Sequence, residues 1–334
     1  MSNGFHVAIV GATGAVGAEL IQLLEQREFP LRGLKLLASS KSAGQALKFK
    51  GEEVPVETLS KDSFKSVDIA LFSAGANISK EYAKRAVTAG AIVVDNSSAF
   101  RMEPDIPLIV PEINLSDIQK HRGIISNPNC TTIIALMALY PLHANFGVKR
   151  VIAASYQAVS GAGAKAIHEL SLQSRLFFSG ESAAPEVLPH TIAFNVVPQV
   201  DVFLDNGYTK EEVKFVNESR KIMHHPTLRA SITCVRVPVF RAHSVAVHAE
   251  FEQPVSVERA RDVLAKSQGL ELVDDPSSRK YPMPLLVAGK NNCQVGRIRA
   301  DSALDNGLAL WVCGDQLLKG AALNALQIAE ALDK

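Results

Sequence analysis

Short apolar runs separated by amphipathic stretches dominate the first part of the chain. Residues 6–10 form a continuous apolar run, which is typical of a strand buried on both faces of a parallel sheet. A glycine-rich segment and an amphipathic stretch at 19–25 follow it. The pattern recurs, with strands expected at 34–38, 67–72 and 91–95 and a helix at 79–88 that has Ser79 as its N-cap. This β-α-β series predicts a mostly parallel sheet covered by helices on both faces.

The pattern changes from about residue 130 onward. The segment 133–140 is too apolar for a surface helix, so we expect a buried helix with Cys130 in its first turn. Residues 243–251 alternate between apolar and polar side chains, which predicts a strand with His243 on its apolar face. The other expected elements are a strand at 151–159, a helix at about 209–224 opened by a capping box, and a closing helix at about 317–332. Longer strands and loops are typical of an α+β domain.

Length, composition and charge narrow the class of protein. A chain of 334 residues is too long for one typical core, which predicts two domains. Hydrophobic residues make up 47% of the chain and charged residues 21%, as in a globular protein. The net charge is +1 without a long basic run, so we expect neither nucleic acid nor a membrane as a partner. We also expect no signal peptide and no membrane span.

The cysteines indicate the compartment. Four of them, at positions 130, 234, 293 and 313, show neither metal-ligand spacing nor the density of a disulfide framework. We therefore expect no metal site and a location in the reducing cytoplasm, where a thiol is available for chemistry.

Two segments near the N-terminus suggest a dinucleotide site. Residues 11–17 have the spacing G-x-x-G-x-x-G between a strand and a helix, where glycines let the backbone approach a pyrophosphate. The alternative is a tight turn that binds nothing. At 39–44, after the second strand, hydroxyl groups and Lys41 stand where NAD-binding folds place an acidic residue. This favours NADP(H), unless the segment is only a polar surface loop.

Three residues of the second part suggest chemistry. A cysteine at a helix N-terminus forms a thiolate more readily, so Cys130 is either a nucleophile or a small buried hydrophobe. The inward-facing His243 is either an acid/base catalyst or a hydrogen-bonded core residue. Gln157, near a strand end, could orient a reacting carbonyl group or could face solvent.

Charged residues leave further alternatives open. Arg101 lies in a loop after a strand, where it could reach an anionic substrate or be an ordinary surface charge. Glu211 and Lys214 are three residues apart on one helix face, and such pairs are usually solvated.

Six separated motifs together give a specific resemblance. They are residues 11–17, 95–101, 126–130, Arg236 with His243, 295–299 and 319–322, and they resemble the aspartate-β-semialdehyde dehydrogenase family nearly end to end. The resemblance implies an α/β fold class, with a Rossmann-type parallel-sheet domain that binds NADP(H) at 1–129 with 315–334. It further implies an α+β catalytic and dimerisation domain at 130–314. A cytoplasmic homodimer, or a tetramer, is expected, with a contact at about 170–198.

The family's functional residues fall on matching positions. Cys130 would be the nucleophile, His243 the acid/base catalyst and Gln157 the residue that orients the reacting group. The implied substrate-binding residues are Arg236 and Glu211 for the amino acid, Arg101 and Lys214 for phosphate, and Asn129. The implied cofactor-binding residues are Gly11, Thr13, Gly14, Ala15, Val16, Ser39, Lys41, Ser42, Ser73, Gly161 and Gln316.

The implied reaction is the NADPH-dependent reductive dephosphorylation of L-4-aspartyl phosphate to L-aspartate 4-semialdehyde, with release of inorganic phosphate. It would pass through a thioester on Cys130 and serve the biosynthesis of lysine (through diaminopimelate), methionine and threonine. Two positions depart from the family pattern. Gln316 stands where asparagine is usual, and Lys41 where arginine is common.

Two other functions are open to a chain of this kind. N-acetyl-gamma-glutamyl-phosphate reductase shares the architecture, but it typically has glycine where this chain has Asn129 and lacks the spacing between Arg236 and His243. A non-catalytic paralogue would be marked by loss of the cysteine, whereas Cys130 is present.

Overall fold

The structure is a computed structural model that describes residues 4–333. These residues form two compact units, one of residues 4–129 with 321–333 and one of Cys130–Gly320. Residues 315–320 pack within the second unit, whereas the sequence-based division places them with the first. Within the second unit, Gly320 lies directly against Cys130.

The first unit contains a seven-stranded sheet with strand order β3-β4-β2-β1-β5-β6-β7. All neighbouring strands are parallel except the β3–β4 pair, which is antiparallel. The elements, in chain order, are β1 (Phe5–Val10), α1 (Ala15–Gln26), β2 (Leu31–Ala38), β3 (Ala46–Phe49), β4 (Glu52–Thr58), β5 (Ile69–Phe72), α2 (Ala76–Thr88), β6 (Ile92–Asp95), α3 (Pro111–Asn114), a 3-10 helix (Leu115–Lys120) and β7 (Ile124–Ser126). The parallel sheet expected from the apolar runs is confirmed.

Glycine is required where α1 meets the turn after β1. Gly11 has a φ of +89°, and a Cβ atom there would lie 2.5 Å from the Ser73 carbonyl oxygen. A Cβ atom on Gly17 would lie 2.3 Å from the Gly11 carbonyl oxygen. No larger residue fits either position, because both contacts are with backbone atoms. The turn therefore holds the N-terminus of α1 close to the ends of β1 and β5.

The expected N-cap of the second helix is wrong. Helix α2 begins at Ala76 after Gly75, so Ser79 lies inside its first turn. The Ser79 hydroxyl is buried and donates a hydrogen bond to Asp95 Oδ1 at 2.7 Å. The Ser79 hydroxyl, which the local sequence predicts as a helix cap, is instead hydrogen-bonded to the buried carboxylate of Asp95 at the end of β6.

The second unit is built on a six-stranded sheet of order β11-β12-β13-β10-β8-β9. Strand β10 is antiparallel to β8 and β13, while β8 and β9 are parallel. The elements, in chain order, are α4 (Cys130–Phe146), β8 (Val148–Gln157), a 3-10 helix (Val159–Ala162), α5 (Ala164–Phe178), α6 (Lys210–Ile222), β9 (Arg229–Arg236), β10 (His243–Phe251), α7 (Val257–Ala265), β11 (Leu270–Leu272), a 3-10 helix (Pro276–Ser278), α8 (Pro284–Val287), β12 (Cys293–Ala300) and β13 (Gly307–Gly314). A π-helical turn (Leu318–Ala322), α9 (Leu323–Glu330) and a 3-10 turn (Ala331–Asp333) close the chain.

Several local expectations for the second unit are confirmed. Helix α4 begins at Cys130 and is buried along nearly its whole length. The capping box is present, since Glu212 N–H donates to the Thr209 hydroxyl and the Glu212 carboxylate accepts from Thr209 N–H. His243 lies on the buried face of β10, as the alternation predicts.

No helix in the described part of the chain combines the length and the apolar character needed to cross a bilayer.

Candidate active site

Cys130 occupies the first position of a buried helix and is partly accessible, whereas the other three cysteines are buried. Burial raises the pKa of the Cys313 thiol to about 12 and also raises the pKa of the Cys234 thiol. Helix N-termini favour negative charge, which assists ionisation of the Cys130 thiol. A Cβ atom on Gly320 would lie 2.9 Å from that of Cys130, so the π-helical turn packs against the helix start. Cys130 is therefore the thiol that is placed for reaction.

Gln157 lies at the end of β8 and is buried, so the solvent-facing alternative is wrong. Its Oε1 accepts a hydrogen bond from the Ser155 hydroxyl at 3.0 Å, and its Nε2 donates to Glu211 Oε1 at 3.1 Å. The sheet places Gln157 opposite Arg236 on β9. The amide is thereby fixed in orientation between a strand and helix α6.

Glu211 and Lys214 do not form a solvated surface pair. The Lys214 ammonium lies 3.2 Å from Glu211 Oε2 and 2.7 Å from Asp201 Oδ2, and its side chain is 25% exposed. Burial opposes the charge on Lys214, but the two carboxylates outweigh it and raise its pKa. Asp201 lies in a loop, and nothing in the sequence marks it as a partner of Lys214.

Arg236 is a buried guanidinium with an unsatisfied donor. Its NH1 donates to the Ala158 carbonyl oxygen at 2.7 Å, while its Nε has no hydrogen-bond partner among residues 4–333. Burial lowers the pKa of Arg236, against the opposing effects of Glu211 and Cys130. An arginine remains protonated in proteins, so this group offers positive charge and an N–H to an anionic ligand.

His243 is completely buried and neutral. Burial, and secondly the charge of Arg236, hold the pKa of His243 well below its usual range. Its Nδ1 accepts a hydrogen bond from Ala158 N–H at 3.0 Å, so the neutral ring carries its proton on Nε2. Nε2 has no partner in the described structure. The ring thus presents an N–H donor that the protein itself does not use.

The backbone of one residue, Ala158, and a single glycine bring Arg236 and His243 together. Ala158 binds Arg236 through its carbonyl group and His243 through its N–H. A Cβ atom on Gly161 would lie 3.0 Å from Arg236 NH1 and 3.2 Å from His243 Nε2. The second glycine loop is therefore required for close packing beside both side chains. Ala158 takes part through its backbone alone, so its side chain gives no sign of this role in the sequence.

Gln316 also lies in the second unit and is buried. Its Oε1 accepts a hydrogen bond from Ala242 N–H at 2.8 Å, and its Nε2 donates to the Ser160 hydroxyl. The side chain therefore joins the loop that contains Gly161 to the residue before His243.

The glycine turn of the first unit fits a pyrophosphate. Helix α1 starts at Ala15 with Gly14 as its N-cap, and a glycine has no side chain that could cap the first N–H groups of this helix. Thr13 and Gly14 are exposed, so these N–H groups can be reached by an anion. The remaining cofactor candidates of this unit follow β1, β2 and β5 at the same edge of the sheet, namely Val16, Ser39, Lys41, Ser42 and Ser73.

Arg101 is buried, so the surface-charge alternative is wrong. Its Nε donates to the Asn127 carbonyl oxygen at 2.9 Å and its NH2 to the Asn96 carbonyl oxygen at 2.8 Å. These acceptors follow β7 and β6, and the carboxyl ends of parallel strands are where open α/β sheets bind ligands. Asn129, also buried, ends the same unit. The sequence-predicted residues thus fall into two sets, one in each unit.

Two family models match the chain. The model described as "Semialdehyde dehydrogenase, NAD binding domain" matches residues 6–121. The model described as "Semialdehyde dehydrogenase, dimerisation domain" matches residues 139–319.

Two of the relatives that match over nearly their full length are aspartate-semialdehyde dehydrogenases. The chain is 50% identical to aspartate-semialdehyde dehydrogenase of Aquifex aeolicus, over 99% of this chain and 98% of that protein. It is 51% identical to the Synechocystis protein of the same name, with the same shares covered.

Solved structures agree with these matches. A Vibrio cholerae structure, described as aspartate semialdehyde dehydrogenase II complexed with ASA, has a TM-score of 0.97 at 44% identity and covers 99% of both chains. A Candida albicans aspartate semialdehyde dehydrogenase with NADP has a TM-score of 0.77 at 26% identity, covering 98% of both chains.

These comparisons confirm the resemblance inferred from the six motifs, the α/β fold class and the assignment as an enzyme. They do not favour the acetylglutamyl-phosphate reductase or a non-catalytic paralogue. The chain belongs to the semialdehyde dehydrogenase family, and within it to the aspartate-semialdehyde dehydrogenases.

Proposed function

We propose that this enzyme converts L-4-aspartyl phosphate to L-aspartate 4-semialdehyde and phosphate with NADPH, and that the residues of the two sets perform this reaction. The observation that carries the proposal is the arrangement around Ala158. Backbone groups of the single residue Ala158 hold both the neutral His243 and the charged Arg236, and Cys130 acts to raise the pKa of Arg236 against the effect of burial. A thiol at a helix N-terminus next to a buried cation fits a nucleophile for an anionic substrate.

The charged side chains of Arg236 and Glu211 suggest how the amino-acid part of the substrate binds. The guanidinium of Arg236 would pair with the α-carboxylate, and the carboxylate of Glu211 with the α-ammonium group of the substrate. Gln157 binds Glu211, so it stands beside the bound amino acid and can orient the acyl group. Lys214 and Arg101 are the cations proposed for phosphate.

Covalent chemistry then proceeds on Cys130. Its thiolate attacks the acyl carbon, the C–O bond to phosphate breaks, and a thioester forms with release of phosphate. NADPH, when bound, supplies the hydride that reduces this thioester. His243 Nε2–H would donate to the oxygen on which negative charge develops, and the thiolate departs as the aldehyde forms. The hydrogen bond from Ala158 N–H to His243 Nδ1 leaves the proton of the neutral ring on Nε2, as a hydrogen-bond donor to the substrate oxygen requires.

The proposed function is tested by assaying the reverse reaction with aspartate semialdehyde, phosphate and NADP⁺. N-acetylglutamate semialdehyde serves as the competing substrate. We expect phosphate-dependent reduction of NADP⁺ with aspartate semialdehyde and none with N-acetylglutamate semialdehyde. Preferential turnover of the acetylated substrate would contradict the proposal.

Preference for NADP(H) is proposed from the segment after β2. Lys41, Ser39 and Ser42 lie in turns there, and the backbone N–H of Ser42 binds the Ser39 carbonyl oxygen at 2.9 Å. The exposed ammonium of Lys41 and the two hydroxyl groups suit a 2′-phosphate. Gly11, Thr13, Gly14, Ala15, Val16 and Ser73 would surround the rest of the coenzyme in this unit, and Gly161 is proposed as a coenzyme contact in the other.

The Lys41→Ala variant should lower kcat/KM for NADP⁺ by roughly tenfold, the effect of losing one hydrogen bond to a charged group. The kcat/KM for NAD⁺ should change little in this variant, because NAD⁺ lacks the 2′-phosphate. Lys48→Ala, at an exposed lysine on β3, is the matched control. Steady-state kinetics with both coenzymes measure the effect, and equal losses for the two coenzymes would rule out the proposed contact.

A homodimer is proposed through an exposed aromatic cluster of the second unit. Phe177, Phe178 and Phe194 are exposed, and their ring centroids lie 4.5 to 5.7 Å apart. Val196 extends the same apolar surface along the chain. The cluster falls within the segment 170–198 that the resemblance indicates, and within the residues matched by the dimerisation-domain model. Exposed apolar patches of this kind mark protein interfaces.

The Phe178→Glu variant should weaken the dimer at least roughly tenfold in Kd, because it places a charge where an aromatic anchor, 79% exposed in one chain, is expected to be buried. Sedimentation over a range of protein concentrations measures the effect. Met102→Glu, at an exposed apolar residue outside the cluster, is the matched control. A dimer unchanged by Phe178→Glu would place the interface elsewhere.

We further propose that the enzyme works in the cytoplasm, in the biosynthesis of lysine, methionine and threonine.

We also propose a role for each of the two units. The parallel-sheet unit would bind NADP(H), and the mixed-sheet unit would bind the amino acid and dimerise.

A further inference from the structure

The turn that follows β13 is anchored by a completely buried carboxylate. Asp315 Oδ2 accepts hydrogen bonds from Arg241 Nε at 2.5 Å and Gly289 N–H at 2.6 Å. Its Oδ1 accepts from Leu317 N–H at 2.9 Å and Leu318 N–H at 3.2 Å. A buried charge is costly unless it is paired and hydrogen-bonded, and here four donors meet that need. The backbone on both sides of position 316 is therefore fixed.

Gln316 projects from this anchored turn to two other segments. Its Oε1 accepts from Ala242 N–H at 2.8 Å, and its Nε2 donates to the Ser160 hydroxyl. Ala242 has a φ of +72°, which is unfavourable for a residue other than glycine. The hydrogen bond that Ala242 N–H donates to Gln316 helps to hold this conformation immediately before His243.

The second segment bound by Gln316 also contacts His243. Ser160 is adjacent to Gly161, and a Cβ atom at Gly161 would lie 3.2 Å from the His243 ring, so this loop packs closely beside the ring. Ala158, at the start of the same loop, binds His243 Nδ1. The backbone before the histidine and the loop beside its ring are therefore joined by one amide side chain.

We propose that Gln316 is a positioning residue for His243, anchored by Asp315 and acting through Ala242 and Ser160. This inference rests on the proposed role of His243. It differs from the role that the resemblance implies for position 316, which is a contact to the coenzyme. Asparagine at this position would be one methylene shorter, so we expect it to lose at least one of the two hydrogen bonds that Gln316 makes.

The test compares Gln316→Leu, Gln316→Asn and Ser160→Ala with the unmodified enzyme. We expect Gln316→Leu to lower kcat of the phosphate-dependent reaction roughly tenfold, as expected for a displaced catalytic group, with the KM for NADP⁺ changed less than about twofold. Gln316→Asn and Ser160→Ala, which each remove one of the two bonds, should give smaller losses. Gln294→Leu, at a buried glutamine on β12 that binds Glu271, is the matched control and should leave kcat unchanged.

A second readout needs no coenzyme. In protein labelled with ¹⁵N-histidine, the ring signals lost in His243→Asn identify His243. In the unmodified protein they should show the proton on Nε2 down to acidic pH. In Gln316→Leu, and more weakly in Ser160→Ala, we expect protonation at higher pH because water reaches a loosened ring.

The outcomes separate the possible roles. Unchanged His243 signals in both Gln316→Leu and Ser160→Ala, with only a raised KM for NADP⁺, would overturn the positioning role. If Gln316→Leu does not fold, Ser160→Ala alone decides the matter. Full activity of His243→Asn would instead refute the proposed function, whatever position 316 does.

Discussion

The Cys130→Ala variant is expected to lose at least about 10⁴-fold in kcat, because removal of a nucleophile removes the covalent route entirely. Oxidation of aspartate semialdehyde by NADP⁺ in the presence of phosphate is the reaction to measure. Helix α4 should be retained, since alanine is a good helix former at this first position. The protein should therefore remain folded and able to bind coenzyme.

A single-turnover experiment identifies the thioester directly. With semialdehyde and NADP⁺ but no phosphate, the unmodified enzyme should form one equivalent of NADPH and retain the acyl group on Cys130. Hydroxylamine should then release this group as the aspartyl hydroxamate. Cys313→Ala, which removes a buried thiol with a pKa near 12, is the control and should behave like the unmodified enzyme. Hydroxamate formation by Cys130→Ala would contradict the assignment.

The Arg236→Leu variant should lower kcat/KM for the semialdehyde by roughly 10³-fold. The expected loss combines the hydrogen bonds to the substrate carboxylate with the penalty of leaving that carboxylate unpaired. Arg236→Lys keeps the charge but loses the planar fork, so an intermediate loss is expected. The comparison of the two variants separates charge from geometry.

Selectivity of the Arg236 effect is checked with an analogue that lacks the α-carboxylate. Its kcat/KM should be low in the unmodified enzyme and should change little in Arg236→Leu. Arg229→Leu removes an exposed arginine at the other end of β9 and is the matched control. Equal losses for substrate and analogue would mean that Arg236 acts on the protein rather than on the carboxylate.

The first unit was largely predictable because its signals are local. Continuous apolar runs specify buried parallel strands, and β1, β5 and β6 lie where these runs occur. Gly11 and Gly17 are required by backbone contacts within the same turn. Ser79 shows the limit of this reasoning, because Asp95, sixteen residues away, competes for its hydroxyl group.

The candidate site was predictable only in part, because several of its contacts depend on the tertiary fold. Spacing places Glu211 and Lys214 on one helix face, but the burial of that face and the contact with Asp201 come from other segments. Side-chain patterns do not indicate Ala158, since its carbonyl and N–H groups form the contacts. The hydrogen bonds between Gln316 and residues more than seventy positions away could not be predicted from the sequence either.

Burial of three of the four cysteines leaves one accessible thiol, which allows the functional enzyme in any preparation to be counted. A mild alkylating agent reacts with thiolates and needs access, so it should modify Cys130 well before the buried cysteines. The equivalents of label needed to abolish turnover would then give the concentration of competent active sites. Bound substrate should slow this labelling, so the same titration would also report occupancy of the site.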